Sequence, residues 1–345
     1  MTGVRIPFLE GRAGQPAALE RVAARVGAQL AALGEEGGVL ASVVRPVFVG
    51  IGASYAALAL PVALLAEGGI LARRELAGEI GSGLAFTGAD LVLGVSQSGR
   101  STETLESLAL LPGGNRAAVV NVAPSRLSEA VEHCVDLGNE PDSYASTIGY
   151  TGTLVALTMI ARTLLGMPVA EAAREWAGIE AELERHETAL APVVDEVARQ
   201  AAGVVAADVV SSGAFRAVSE SGALLLREVC RVPASALVTR NYLHGEMESA
   251  GETLHVIIGD GRELELAGSL AAAHHHTLCV TSAGLASAEY LHVVPIPAAA
   301  SLPVRTVLAE AVLQRLAGSL AQARGVEIED FVFHNSDTKI EEPVG

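Results

Sequence analysis

The segment Val95-Ser96-Gln97-Ser98-Gly99-Arg100-Ser101-Thr102-Glu103 decides how the chain is read. An apolar run, Asp90-Leu91-Val92-Leu93-Gly94, precedes it, and Leu105, Leu108, Leu110 and Leu111 follow with helical spacing. A strand that ends in a hydroxyl-rich, Gly-containing turn and then opens a helix aims several hydroxyls and backbone N–H groups at one point. Helix N-termini favour anions because their first N–H groups are unpaired and the peptide dipoles align. Helix capping would account for a single Ser there. Four hydroxyl residues and one Gln in the seven positions 96–102 exceed that need. The turn lacks the Lys of a P-loop, which argues against nucleoside triphosphates and for a phosphorylated small molecule.

The rest of the composition fits such a ligand only locally. At 345 residues the chain holds one large or two medium α/β domains. It is 50% apolar and only 3% aromatic, as expected for helices packed on buried parallel sheets. A formal charge of −17 opposes a nucleic-acid backbone, so no nucleic acid is expected as partner, and an anionic ligand must find local donors. Cys134, Cys230 and Cys279 are odd in number, far apart and without metal spacing, which reads as buried free thiols in a reducing compartment. Arg5, Glu10 and Arg12 interrupt any secretory signal pattern. The longest apolar stretch, Thr151 to Leu165, is too short to span a bilayer and carries Arg162. A soluble, cytoplasmic protein without membrane contact is the expectation.

Outward from the turn, strands and helices alternate. Residues 15–34 predict an amphipathic helix through Leu19, Val22, Ala23, Val26, Leu30 and Leu33. Strands are predicted at Val47–Gly50, Ile70–Glu75, Asp90–Val95, Ala117–Val122 and Val135–Leu137. A second run gives Asp208–Ser211, Ala234–Val238, Leu254–Ile258, Leu278–Thr281 and His292–Pro295. The two runs match in kind: 47–55 answers 209–215, and 91–99 answers 254–261. The alternation predicts an α/β fold with doubly wound parallel sheets in two structurally related halves. The expected boundaries are a helical segment 1–45, a first subdomain 46–166, a helical connector 167–204, a second subdomain 205–325 and a tail 326–345. The second half has Asp260 where the first has its hydroxyls, so one phosphate site is expected.

Four segments in this order resemble the sugar isomerase (SIS) domain family: Gly50-Ile51-Gly52-Ala53-Ser54-Tyr55, then Ser96 to Ser101, then Tyr144-Ala145-Ser146-Thr147, then Ser221 to Glu228 running on to Tyr242-Leu243-His244-Gly245. The resemblance covers about 20–340 and is closest to the isomerase half of glucosamine-6-phosphate synthase and its stand-alone relatives, which implies two tandem three-layer αβα subdomains on flavodoxin-like parallel sheets. It implies that Ser96, Gln97, Ser98 and Ser101 hold a sugar phosphate, that Ser54 touches the substrate, and that Ala145 and Ser146 line the sugar pocket. Ala53 lacks a hydroxyl that the synthase has. It further implies Glu228 as general base and His244, sixteen residues later, as the group that assists ring opening. In relatives that His comes from a second subunit, so a homodimer with shared active sites is implied. The synthase's tail carries a Lys into the site. Lys339 is the candidate here, with His334 a weaker one, in a tail that lacks the family's Pro-Arg-Asn-Leu-Ala run.

These residue types suit the chemistry. Moving a carbonyl between C1 and C2 needs a carboxylate beside a carbon-bound proton, and ring opening needs a second acid–base group such as imidazole. Neither metal nor cofactor is required. His274-His275-His276 reads as a structural or exposed run, because consecutive side chains diverge. Arg100 could pair with the anion or face solvent, and Glu246 and Glu248 could read an amine, tune His244 or form a solvated acidic turn. No glutamine-hydrolysing domain is visible. The expected function is aldose–ketose isomerisation of a 6-phosphorylated sugar or amino sugar, with release of ammonia or an amine as in glucosamine-6-phosphate deaminase or fructosamine-phosphate deglycase relatives. The alternatives are isomerisation without nitrogen chemistry and a non-catalytic sugar-phosphate sensor.

Overall fold

The computed structural model describes residues 3–33, 39–40, 42–111, 115–333 and 335–340. His334 lies outside them. The chain forms two compact units: residues 1–6, 17–178 and 332–345, and residues 7–16 and 179–331.

Helix α1 (Phe8–Leu33) opens the chain, and Leu19, Val22, Val26 and Leu30 are fully buried along one face. It starts a full turn or more before the predicted position and contains Pro16. The carboxylate of Glu329, within the second unit, accepts the N–H of Phe8 at 2.8 Å. That contact satisfies one of the orphan donors of the first turn and comes from a residue 321 positions away, which no local pattern announces.

The first unit continues with β1 (Pro46–Gly50), α2 (Ala53–Ala57), α3 (Ala59–Glu67), β2 (Arg73–Leu76), β3 (Leu91–Ser96), α4 (Thr102–Ala109), β4 (Arg116–Val120), α5 (Arg126–Glu129), β5 (His133–Asp136), α6 (Ile148–Leu164) and α7 (Val169–Arg174). The second contains α8 (Ile179–Gln200), β6 (Ala206–Ser211), α9 (Arg216–Glu228), β7 (Ala234–Val238), α10 (Thr239–Tyr242), β8 (Thr253–Ile258), α11 (Arg262–Ala272), β9 (Thr277–Thr281), β10 (Leu291–Pro295) and α12 (Leu302–Arg324). All ten predicted strands are present, within three residues at each end.

Each unit has one parallel five-stranded sheet. The orders are β2-β1-β3-β4-β5 and β10-β9-β8-β6-β7. Numbered from its own first strand, each sheet reads 2-1-3-4-5, the doubly wound order whose switch point lies between strands 1 and 3. The internal match is therefore structural: β1 answers β6, and β3 answers β8. Strands β1, β3, β8 and β9 are buried at every residue, as parallel strands covered on both faces must be. Burial of a Val or Leu side chain stabilises by about 1.5–3 kcal/mol, so these strands hold much of each core. Close approach of helix to sheet fixes Gly94, where a Cβ would stand 2.8 Å from Leu108 of α4. In the second unit, α12 is buried around most of its circumference and places Gln314 and Glu310 in the interior. Ser221 Oγ donates to Glu310 at 2.9 Å, and burial pushes this carboxyl up to about 8.

Burial raises all three thiols to about 12, with Cys134 half-buried and Cys230 and Cys279 fully so. Among the described residues no helix is long and apolar enough to cross a membrane.

Candidate functional site

In the first unit β3 ends at Ser96, which is buried, and Gly99 turns the chain with φ +64°. Only glycine fits there, since a Cβ would run into Ser125 as well as adopt a left-handed backbone. The N–H of Gly99 donates to Ser96 O at 3.1 Å, and the N–H groups of Asn121 and Val122 bind Gln97 O, so the turn is clamped to the end of β4. Ser101 stands at the N-cap of α4 but makes no side-chain capping bond. Its hydroxyl meets that of Ser96 at 2.9 Å instead. The two hydroxyls thus face one another across the turn, while Gln97 and Ser98 are half-buried.

The C-terminal segment lies against this turn. Ser101 and Lys339 form an antiparallel bridge. Ile340 N donates to Arg100 O at 3.0 Å, Arg100 Nε returns a bond to Ile340 O at 2.8 Å, and Thr102 Oγ1 donates to Asp337 O at 3.0 Å. Lys339 is exposed, with Nζ 5.5 Å from the centroid of the Tyr144 ring. The tail departs from the family's sequence pattern, yet it brings its lysine to the turn through backbone pairing.

Three further expected residues sit in the same unit. Ser54 is half-buried in α2, which follows Gly52 at φ +57°. Ala145 is buried, and Ser146 donates its hydroxyl to Asp142 at 2.6 Å. Asp142 was not expected. Its carboxylate also accepts from Thr147 N at 2.9 Å and Thr147 Oγ1 at 3.2 Å, so it organises the whole Ala145–Thr147 segment. Burial raises its pKa, although bonds from Ser146 and Thr147 oppose the shift. The sequence signal was an Asp opening a Ser/Thr-rich turn, a common local acceptor pattern.

A cavity of about 210 Å³ borders the turn, lined by Gln97, Ser98, Arg100, Val122, Glu140, Asp142 and the segment Gly3–Arg5. That segment is pinned by Asp142, whose N–H donates to Val4 O and whose carbonyl accepts from Ile6 N.

Glu228 and His244 belong to the second unit. Glu228 ends α9 and is half-buried. The neighbouring Arg227 Nε donates to Ala234 O at 2.8 Å, which places this end of the helix beside the start of β7. His244 follows α10, beyond the other end of β7, and is exposed beside Gly245 at φ +132°. Five residues of strand separate the two positions, roughly 16 Å along the sheet. Glu246 and Glu248 are exposed, and Glu246 accepts from Asn241 at 2.8 Å.

The counterpart of the hydroxyl turn in this unit is Gly259-Asp260-Gly261. There Glu263, unforeseen in the sequence, is buried and accepts from Ser212 Oγ at 2.7 Å, Thr239 Oγ1 at 2.6 Å and Gly261 N at 3.2 Å. Burial acts to raise its pKa, but these bonds outweigh it and hold the carboxyl below its ordinary value. Asp260 accepts from Thr281, Ser282 and Arg305. In the histidine run, His274 and His276 lie against Tyr290 at 5.1 and 5.8 Å while His275 turns the other way and meets buried His255 edge-on at 5.4 Å, so consecutive rings diverge. Among the described residues no group of three or more His, Cys, Asp or Glu side chains could hold a metal ion.

No protein-family model and no curated protein matches the sequence. Solved structures do match. The C-terminal domain of glucosamine-fructose-6-phosphate aminotransferase from Francisella tularensis is similar at a TM-score of 0.77 and 19% identity, over 93% of this chain and 97% of that one. Glucosamine-6-phosphate deaminase from Thermotoga maritima gives 0.72 and 17%, over 96% and 99%. Tagatose-6-phosphate ketose/aldose isomerase from Escherichia coli gives 0.73 and 15%, over 92% of each chain. The two-sheet architecture expected from the SIS resemblance is thus the observed one, and it is shared with these proteins over nearly the whole chain.

Proposed function

We propose that the chain is a phosphosugar aldose–ketose isomerase acting on a 6-phosphorylated sugar or amino sugar, with release of ammonia or an amine as the form to test first. One observation carries the reading: Ser101 heads α4 without capping it, and its hydroxyl is held against that of buried Ser96 in a turn that also receives Lys339. A hydroxyl that served only the helix would bond to its first turn. Hydroxyls aimed instead into the turn, at the positive end of α4, are donors suited to a phosphate dianion. The carbohydrate-phosphate names of the three similar structures support the same class.

In this reading Ser96, Gln97, Ser98 and Ser101 hold the phosphate, while Ser54, Ala145 and Ser146 line the sugar. The carboxylate of Glu228 removes the proton from C2 of the open-chain aldose and returns it to C1, while the hydroxyl proton on O2 passes to O1, which shifts the carbonyl with no net change of oxidation state. With an amine at C2 the shifted double bond is an imine, and water then releases the nitrogen. His244 carries the proton between the ring oxygen and the anomeric hydroxyl, and the Lys339 ammonium polarises the freed carbonyl. Binding energy at the phosphate orients C1 and C2 for these steps. The span between Glu228 and His244 along β7 exceeds a hexose, which favours a homodimer in which each sugar meets His244 of a second copy.

The test is to incubate the protein with glucosamine 6-phosphate, a fructosamine 6-phosphate and fructose 6-phosphate, and to follow ammonia, amine and ketose. Turnover of at least one substrate, lost in Glu228→Gln with binding retained, is expected. Tight binding of these compounds with no turnover would instead make the chain a sugar-phosphate sensor.

A further inference from the structure

We propose that Arg5 and Arg100 are binding residues for the substrate's anionic group, so that this chain reads its anion with two guanidiniums as well as with the hydroxyls of the turn. The inference rests on the phosphate reading of the turn; it adds Arg5, for which the sequence gave no role, and decides between the two alternatives open for Arg100.

Both arginines line the cavity that Gln97 and Ser98 border. Each is positioned by a backbone acceptor: Arg5 donates from one terminal nitrogen to Ser143 O at 2.8 Å, and Arg100 donates from Nε to Ile340 O at 2.8 Å. Arg5 is further placed by the Tyr144 ring, 5.3 Å from its guanidinium carbon. A guanidinium has five N–H donors in a planar fork, so one bond to a carbonyl fixes its direction and leaves donors for a ligand. Among the described residues neither arginine has a carboxylate within ion-pair distance, in a chain with 40 acidic and 23 basic residues. The two acids that share the cavity are committed elsewhere. Glu140 is held by Arg21 through both carboxylate oxygens, at 2.9 and 2.6 Å, and Asp142 accepts from Ser146 and Thr147. The cavity therefore offers cationic donors beside Gln97 and Ser98 of the turn, against the sign of the molecule as a whole.

The arrangement gives both ends of the chain a role. Residues 4–6 reach the cavity by pairing with Asp142, and residues 337–340 fasten Arg100 by pairing with the turn. Lys339 and Arg5 each lie beside the Tyr144 ring, with Nζ 5.5 Å and the guanidinium carbon 5.3 Å from its centroid.

The test is calorimetric binding of fructose 6-phosphate, inorganic phosphate and unphosphorylated fructose to the full chain and to Arg5→Gln, Arg100→Gln and Arg5→Lys. Fructose 6-phosphate is expected to bind at least tenfold more weakly to each Gln variant, with partial recovery in Arg5→Lys and a shallower dependence on salt. Any weak binding of fructose should not move, which a merely structural role for either arginine would not predict. Fructose 6-phosphate bound within twofold of wild type by both Gln variants overturns the inference and leaves the hydroxyl turn standing. If fructose 6-phosphate does not bind but inorganic phosphate does, with the same dependence on the arginines, the anion site stands and the sugar-phosphate reading falls. If neither anion binds, both fall.

Discussion

The turn that ends β3 and the turn that ends β8 occupy the same place in two sheets of the same strand order, and their chemistry is opposite. After β3 come hydroxyls held face to face, a half-buried Gln and no carboxylate among Ser96–Ser101. After β8 come Asp260 and, in the first turn of α11, the buried Glu263, whose oxygens take up the hydroxyls of Ser212 and Thr239 and an N–H of the turn. Gly259, at φ +149°, is required because a Cβ would press on Glu263 at 2.8 Å. The second turn thus contains its own anion. The fold supplies a helix end to both units, and side chains decide which one is open to a ligand.

The division of labour that follows is sharpest at Glu228. If the first unit binds and the second supplies the proton carrier, Glu228→Gln lowers kcat by about 10²–10⁴. The dissociation constant for a sugar phosphate should stay within about threefold, because an amide of the same shape leaves the turn untouched. Steady-state kinetics and calorimetry on the same preparation separate the two quantities. A parallel loss of binding would break the assignment.

A smaller effect comes from making the first turn resemble the second. Ser101→Asp sets a carboxylate where a phosphate is expected, and affinity for fructose 6-phosphate should fall about 100-fold or more. Ser101→Ala removes one charge-assisted hydrogen bond and should cost about tenfold. Thermal unfolding of both variants near that of wild type would show that the loss belongs to the ligand. Equal losses in the two variants would mean that charge at this position is irrelevant and the contrast between the turns incidental.

What could be read from the sequence was what is local. Apolar runs bounded by turn residues located the ten strands, and the internal match pointed to two related halves, whose shared strand order the structure supplies. The hydroxyl turn was legible because its donors are consecutive. Asp142, whose partners Ser146 and Thr147 lie four and five residues on, was within reach of a local reading. Two other features were not, since each depends on partners distant in the chain. Glu263 reads as an exposed residue in the first turn of α11, yet it is buried because Ser212 and Thr239, 51 and 24 residues earlier, converge on it. Arg5 precedes the first helix and has no periodic context at all, and its place comes from the pairing with Asp142 and the contacts with Ser143 and Tyr144. Tertiary convergence of this kind leaves no period in the sequence to detect.

The two buried acids offer the finest test of the contrast, through the sign of their pH dependence. Asp142 has a raised pKa in the folded chain, so its stabilising share is full below the unfolded value, near pH 4, and is lost as pH rises through the folded one. Glu263 has a lowered pKa, so its share is present above the unfolded value and is lost as pH falls through the folded one. In urea unfolding, the stability deficit of Asp142→Asn should therefore shrink as pH rises from about 4 to 7, whereas that of Glu263→Gln should grow as pH rises toward about 4.5 and be level above it. Each change should amount to about 1 kcal/mol, the usual worth of hydrogen bonds to a buried group. Two deficits moving in the same direction would show that the carboxylates play one structural part in both units. Opposite slopes would tie the difference between the turns to where each unit keeps its negative charge, locked inside the second and left for a ligand to bring to the first.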